Sequence, residues 1–92
     1  MNDALQERTF TIQNKRGLHA RAAAKFAATA NAFECEIEVE RNGQSVPGRS
    51  IMGLMMLAAS TGTEIIVRAQ GDDAGAALDA IEALITGKFE ED

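Results

Sequence analysis

The alternating segment "ECEIEVE" at residues 34–40 constrains the fold more than any other stretch of the chain. Its odd-numbered positions are apolar and its even-numbered positions are all glutamate. A strand of this kind predicts a sheet that buries one face and leaves the other in water. The Asn-Gly pair at 42–43 follows and predicts a tight hairpin into a short return strand. Pro47 places that return strand at a sheet edge, because proline cannot donate to a central ladder.

The remaining segments alternate between the periods of strands and helices. The expected elements are a strand over 7–13, a helix over 20–31, strands over 34–40 and 44–46, a helix over 51–60, a strand over 63–70 and a helix that Asp72 or Asp73 caps and Gly87 ends. Cys35 points inward as a core residue. The order β-α-β-β-α-β-α predicts an α+β fold, a two-layer sandwich with an antiparallel sheet covered on one face by helices.

Composition and charge narrow the possible functions. The 92 residues suffice for one domain, which we expect to span 1–92 with frayed segments at 1–6 and 88–92. A net charge of −5, without Trp or Tyr, argues against nucleic-acid binding, which depends on Lys and Arg contacts to phosphates. The single cysteine, the acidic N-terminus and the lack of a long apolar run favour a cytoplasmic protein without a membrane span.

The stretch "NKRGLHARAAAKF" at 14–26 contains the only histidine, His19, where a loop meets an alanine-rich helix. The unpaired N–H groups and the dipole of a helix start attract anions, and Arg21 can hold the same anion. Since a neutral imidazole is a good nucleophile, these residues predict a histidine that accepts a phosphoryl group. Metal binding is the weaker alternative, because the sequence supplies no second His or Cys ligand nearby. A Ser-His-Asp triad stays open, although no nucleophile elbow is present.

Nucleotide-binding and zinc motifs are absent from the sequence. No Walker loop, G-x-G-x-x-G motif or zinc signature occurs, so we expect no cofactor and no bound metal. If His19 takes a phosphoryl group, one partner protein must therefore deliver it and another must remove it.

Ser50 is the second candidate residue, directly before the methionine-rich segment at 51–60. As an N-cap, Ser50 has a sufficient structural role. With Arg49 adjacent, it is also a candidate phosphorylation site, where a charge of about −1.5 to −2 would act on a docked partner. A small domain cannot bury every side of so apolar a helix, so we expect part of it to form a docking patch: Ile51, Met52, Met55 and Met56.

Two motifs together, "GLHARAAA" at 17–24 and "GRSIMGLMMLAAS" at 48–60, resemble the HPr family. These proteins are the histidine phosphocarriers of the phosphoenolpyruvate-dependent phosphotransferase system. The resemblance spans essentially the whole chain, with both motifs in the right order and spacing. It implies an open-faced β-sandwich with four antiparallel strands and three helices. It also implies a carrier rather than an enzyme.

The resemblance further implies roles for individual residues. His19 would be phosphorylated on Nδ1 by phospho-enzyme I and would pass the group to an EIIA-type acceptor, with help from Arg21. Ser50 matches the regulatory serine that HPr kinase/phosphorylase modifies. The docking surface for these partners would include Ala20, Arg49, Ile51, Met52 and Met55 of a monomer. Ala22 departs from the family, which often has proline there, and this leaves transfer rates and partner preference open. The motifs do not separate a sugar-uptake carrier from a regulatory, nitrogen-type carrier, although the alanine-rich first helix and the serine site lean toward a regulatory system in a Gram-negative bacterium.

Two alternatives from other classes remain at this point. The β-α-β-β-α-β order also occurs in small modules that sense metabolites, which bind a ligand reversibly and carry no covalent phosphate. A protein that acts only through its methionine-rich helix would keep its binding without His19.

Overall fold

The helices and strands follow in the expected order through residues 5–91, the part of the chain that the computed structural model describes. They are β1 (Leu5–Thr11), α1 (Ala20–Asn31), β2 (Glu36–Arg41), β3 (Gln44–Pro47), α2 (Ile51–Met56), β4 (Glu64–Gln70) and α3 (Ala74–Thr86). A short C-terminal turn, Lys88–Glu90, follows α3. Within the described residues, no helix has the length and apolar character to cross a membrane.

The four strands form one antiparallel sheet in the order β1-β4-β2-β3. The hairpin between β2 and β3 turns at Asn42 and Gly43, which both have positive φ, at 53° and 79°. Both central residues of a type I′ turn need positive φ, so this confirms the hairpin that the Asn-Gly pair predicts. Strand β3 lies at the sheet edge, as Pro47 predicts.

The sheet buries one face only. Alternate residues of the strands join the core beneath the helices, and three of them, Ile37, Val39 and Val67, are at most 5% exposed. On the opposite face Arg68 lies amid glutamates, 2.7 Å from Glu40 and 3.2 Å from Glu7. The structure therefore confirms the four-stranded antiparallel sheet with three helices, an open-faced sandwich. It also confirms Cys35, which directly precedes β2, as a core residue at 3% exposure.

Helix α2 is shorter than predicted and ends at Met56 rather than near residue 60. Ala58 has a positive φ of 53°, which a continuing right-handed helix excludes. The carbonyl of Ala59 then accepts a hydrogen bond from the Leu18 N–H at 2.9 Å. The segment after α2 is thus used to hold the loop before α1.

The prediction that segments 1–6 and 88–92 are frayed is wrong for those of their residues that the structure describes. Leu5 and Gln6 belong to β1 and lie opposite Gln70 and Ala69 of β4. At the other end, Phe89 is completely buried in the core. Burial of this aromatic ring is the physical reason for an ordered C-terminus, since it removes a large apolar surface from water. Residues 1–4 and 92 lie outside the described part.

Asp73 occupies the N-cap position of α3 but does not cap the helix with its side chain. Its carboxylate instead accepts hydrogen bonds from the backbone N–H groups of Glu34 and Cys35, at 2.8 and 2.9 Å. These bonds, with that of Glu34 first, lower the pKa of Asp73. Burial, followed by the contact with Asp73, raises the pKa of the Cys35 thiol to about 11. The Asp73 side chain, predicted to cap α3, therefore links α3 to the start of β2.

Candidate functional site

The loop before α1 is held in place by a close backbone contact at Gly17. Gly17 has a φ of 66°, and a Cβ atom there would lie 2.3 Å from the carbonyl oxygen of Ala59. Only glycine meets both conditions, because other residues disfavour positive φ and any Cβ would clash. The next residue, Leu18, donates its N–H to that same oxygen and buries its side chain. The Gly-Leu step therefore fixes where the following residue, His19, enters the helix.

His19 is the N-cap residue of α1, with extended backbone at φ −75° and ψ −179°. Its carbonyl accepts the first intrahelical hydrogen bond, from the N–H of Ala23 at 2.8 Å. The N–H groups of residues 20–22 precede that bond and have no partner within the helix. The imidazole thus lies at the positive end of α1, as predicted, with its side chain 24% exposed.

The imidazole is held by a carboxylate from the C-terminus of the chain. His19 Nε2 lies 2.5 Å from Oε2 of Glu91, whose side chain is only 12% exposed. The other oxygen of Glu91 accepts a hydrogen bond from the Asn14 amide at 3.1 Å, and the same amide donates to the Gly17 carbonyl at 2.8 Å. The hydrogen bond from Asn14 is the main cause that lowers the pKa of Glu91, with further contributions from His19 and Arg16.

The C-terminal turn brings Glu91 to this position. Lys88, Phe89 and Glu90 all have positive φ, between 55° and 63°. Each non-glycine residue in this conformation costs roughly 1–2 kcal/mol, so the turn needs compensating contacts. Phe89 supplies one through complete burial, and Lys25 supplies another through a 2.8 Å hydrogen bond to the Phe89 carbonyl.

Arg21 and Ala20 are both exposed in the first turn of α1. Arg21 lines a cleft beside the imidazole that is rich in charge; the other lining residues are Arg16, Lys25, Glu90 and Glu91. Ala22, where the family often has proline, is fully buried in the same turn. The alanine methyl therefore packs in the core while its backbone keeps an N–H that proline would lack.

Ser50 is confirmed as the N-cap of α2. Its Oγ accepts a hydrogen bond from the Gly53 N–H at 2.9 Å, and the residue is partly exposed. The neighbouring Arg49 is not a free surface cation, because its Nη2 atom donates to the carbonyls of Phe33 and Cys35 at 2.5 and 3.0 Å. Arg49 thus ties the start of α2 to the connection between α1 and β2.

Helix α2 presents an exposed apolar surface, which we call the methionine patch: Ile51, Met52, Met55 and Met56. These side chains are 40–71% exposed, whereas Leu54 of the same helix is fully buried. The helix packs against α1, so the patch and His19 belong to the same helical layer. An exposed apolar patch of flexible methionines is a typical docking surface.

Several residues of the site cannot be found from the sequence motifs, above all Asn14, Lys25, Phe89 and Glu91. The one available signal is Phe89, a large apolar residue in an otherwise polar tail just after the helix-ending glycine. Within residues 5–91 no three side chains of His, Cys, Asp or Glu are grouped so that they could hold a metal ion.

The fold and the site together define a class: small open-faced sandwich domains that present one histidine at the start of a helix. Comparison with known proteins then gives the family. The family model described as "PTS HPr component phosphorylation site" matches residues 6–87. Phosphocarrier protein HPr of Pseudomonas aeruginosa is 49% identical over 82 residues, which cover 88% of this chain and 91% of that protein. Phosphocarrier protein NPr of Shewanella violacea is 47% identical over 85 residues, 92% of this chain and 93% of that protein.

Solved structures agree. The crystal structure of HPr-C-His from Thermoanaerobacter tengcongensis superposes with a TM-score of 0.91 at 45% identity, covering 95% of this chain and 98% of that one. The chain belongs to the HPr family of phosphocarrier proteins of the phosphotransferase system. Members of this family carry a phosphoryl group and are not catalytic enzymes, and this chain is likewise a phosphocarrier.

Proposed function

We propose that His19 accepts a phosphoryl group on Nδ1 from phosphorylated enzyme I and passes it to an EIIA-type protein. The observation that supports this most directly is the placement of the ring. Nε2 contacts Glu91 and His19 is the N-cap residue of α1, so we infer that Nδ1 is the nitrogen that reacts, at the positive start of the helix. In the transfer, the Nδ1 lone pair forms the new P–N bond while the P–N bond of the donor histidine breaks. The electron pair of the broken bond returns to the donor nitrogen.

Arg21 and the helix start support the charge of the transferred group. The phosphoryl oxygens would lie among unpaired N–H groups, and the Arg21 guanidinium in the same helical turn can offer paired donors. The protein contributes position and charge stabilisation, while enzyme I and the acceptor supply the remaining groups. The partner surface would comprise Ala20 and Arg49 together with Ile51, Met52 and Met55.

Incubation of the purified protein with enzyme I and labelled phosphoenolpyruvate tests this proposal. We expect one acid-labile phosphate per chain in the wild type and none in His19→Ala, with Arg21→Ala phosphorylated more slowly. Circular dichroism of each variant serves as the folding control. Equal labelling of wild type and His19→Ala would refute His19 as the acceptor.

We further propose that HPr kinase/phosphorylase modifies Ser50 to regulate the carrier. Ser50 is partly exposed at the start of α2, beside the methionine patch, where an added phosphate would change the docking surface without altering the core. The kinase with ATP should add an acid-stable phosphate to wild type and to the exposed-serine control Ser45→Ala, but not to Ser50→Ala. Ser50→Asp should also slow phosphorylation of His19, and an unchanged rate would leave Ser50 as a cap only.

The EIIA acceptor determines which branch of the phosphotransferase system the chain serves. Relatives named HPr and NPr match at nearly the same identity, so sequence identity does not assign the branch. Phosphorylated protein should be offered in parallel to a sugar-specific and to a nitrogen-regulatory EIIA, and the faster transfer assigns the branch. We propose that residues 1–92 act as a single-domain monomer in the cytoplasm. Sedimentation measurements test the monomer, because a related HPr from Thermoanaerobacter tengcongensis was crystallised as a dimer.

A further inference from the structure

We propose that Glu91 is a positioning residue for phosphoryl transfer: it holds the proton of His19 on Nε2 and so keeps Nδ1 available as the nucleophile. This inference rests on the proposed function of His19 and adds to it a second residue, 72 positions away in sequence.

The contacts of the Glu91 carboxylate determine which ring nitrogen of His19 carries the hydrogen. Its two oxygens have different partners, since Oε2 contacts His19 Nε2 at 2.5 Å and Oε1 accepts from the Asn14 amide at 3.1 Å. An ionised carboxylate can only accept hydrogen bonds, so Nε2 must be the ring nitrogen that carries the hydrogen. In a neutral imidazole the lone pair is then on Nδ1, because the bond made by one nitrogen sets the state of the other.

Asn14 makes this arrangement rigid. Its side chain is completely buried, the one polar side chain so buried among residues 5–91, and its amide spans the gap between the Gly17 carbonyl and Glu91. Both hydrogen bonds are made by the amide nitrogen, while Oδ1 is buried without a hydrogen-bond partner among the described residues, so these two bonds alone compensate the burial of the amide. The loop before the helix and the end of the chain are thereby joined at the imidazole.

The backbone of the C-terminal turn supports a functional role. Three successive residues adopt positive φ, an unfavourable conformation that persists only when surrounding contacts impose it. Burial of Phe89 and the hydrogen bond from Lys25 to the Phe89 carbonyl impose it here, and together they bring Glu91 to Nε2 of the His19 ring.

Glu91 also has a role once the phosphoryl group is attached. With phosphorus on Nδ1 and hydrogen on Nε2, the imidazole ring carries a positive charge. The carboxylate on Nε2 compensates that charge, so the ring proton can stay in place during transfer in either direction. The alternative, a carboxylate that occupies the phosphate position as a competitor, would require contact on the Nδ1 side of the ring, whereas the observed contact is at Nε2.

The first experiment measures the ring directly and does not depend on enzyme I. In protein labelled with ¹⁵N-histidine, at alkaline pH, NMR should show hydrogen on Nε2 with a downfield-shifted, slowly exchanging proton. Glu91→Ala should lose that protected proton. Glu36→Ala should keep it, because Glu36 is exposed on β2, on the open face of the sheet away from the C-terminal turn. An unchanged spectrum in Glu91→Ala would overturn the proposal.

The second experiment measures phosphorylation by enzyme I. Glu91→Gln removes the charge but keeps an acceptor oxygen, and we expect its rate to fall about tenfold, the usual worth of a hydrogen bond to a charged group. The matched variant Glu36→Gln makes the same change in net charge at an exposed position of β2, outside the cleft, and should stay near wild type. A Glu91→Gln rate that is unchanged or higher would overturn the positioning role. If the wild type itself takes no phosphate, the proposed function fails, which is a different result from an insensitive Glu91 variant.

Discussion

Replacement of Phe89 by alanine tests whether one buried ring holds the C-terminal turn against the strain of its backbone. Phe89 is fully buried. If the turn stayed in place, the variant would contain a cavity and lose about 3–5 kcal/mol. The turn can instead detach from the core, which relieves backbone strain of about 1–2 kcal/mol at each of three positive-φ residues. The hydrogen bonds from Asn14, His19 and Lys25 to the turn contribute about 1.5 kcal/mol each, which roughly cancels that relief, so burial of the ring decides whether the turn stays attached. We therefore expect the turn to detach.

Detachment limits the loss of stability to about 1.5–3 kcal/mol, the free energy of burying the ring. Urea unfolding measures this loss. Detachment also releases Glu91 from His19, so phosphorylation of Phe89→Ala by enzyme I should be as slow as that of Glu91→Ala. The double variant should be no slower than either single one, since both remove the same contact.

Phe10→Ala is the matched control, because Phe10 is a buried phenylalanine of β1, away from the turn. It should lose about 3–5 kcal/mol, since the sheet cannot release the segment, and Glu91→Ala should still slow phosphorylation in that background. The reasoning is refuted if Phe89→Ala loses 3–5 kcal/mol and the effect of Glu91→Ala persists in it, because the turn would then hold without its ring.

Two further predictions concern Asp73 and the methionine patch. Because the folded-state pKa of Asp73 is lowered, its stabilisation is present above its unfolded pKa, about 3.9, and is lost as the pH falls through the folded value. The stability gap between wild type and Asp73→Asn in urea unfolding should therefore be constant at neutral pH and shrink as the pH falls below the unfolded pKa, and a gap independent of pH would contradict the contact. Met52→Glu, at a side chain 71% exposed, should change stability by less than about 0.5 kcal/mol but weaken phosphorylation by enzyme I. The equally charged change Ala76→Glu on exposed α3 is the control, and equal rates for both variants would exclude the patch from docking.

The local elements of this protein follow from its sequence because their causes are local. The glutamates at alternate positions of 34–40 require one wet face, and the Asn-Gly pair accepts the positive φ that a tight hairpin needs. Ser50 caps α2 through a residue three positions away. His19 could likewise be placed at a helix start, since the period of the chain changes immediately after it.

Only the tertiary structure decided the contacts between residues that are far apart in the chain. Asp73 has the composition of a helix cap, yet it binds the backbone of Glu34 and Cys35, 39 and 38 positions away. The polar tail has the composition of a frayed end, yet Phe89 finds a place in the core and brings Glu91 to His19. Side-chain type shows that such groups need partners, but only the packing of helices on the sheet determines which partners come within reach.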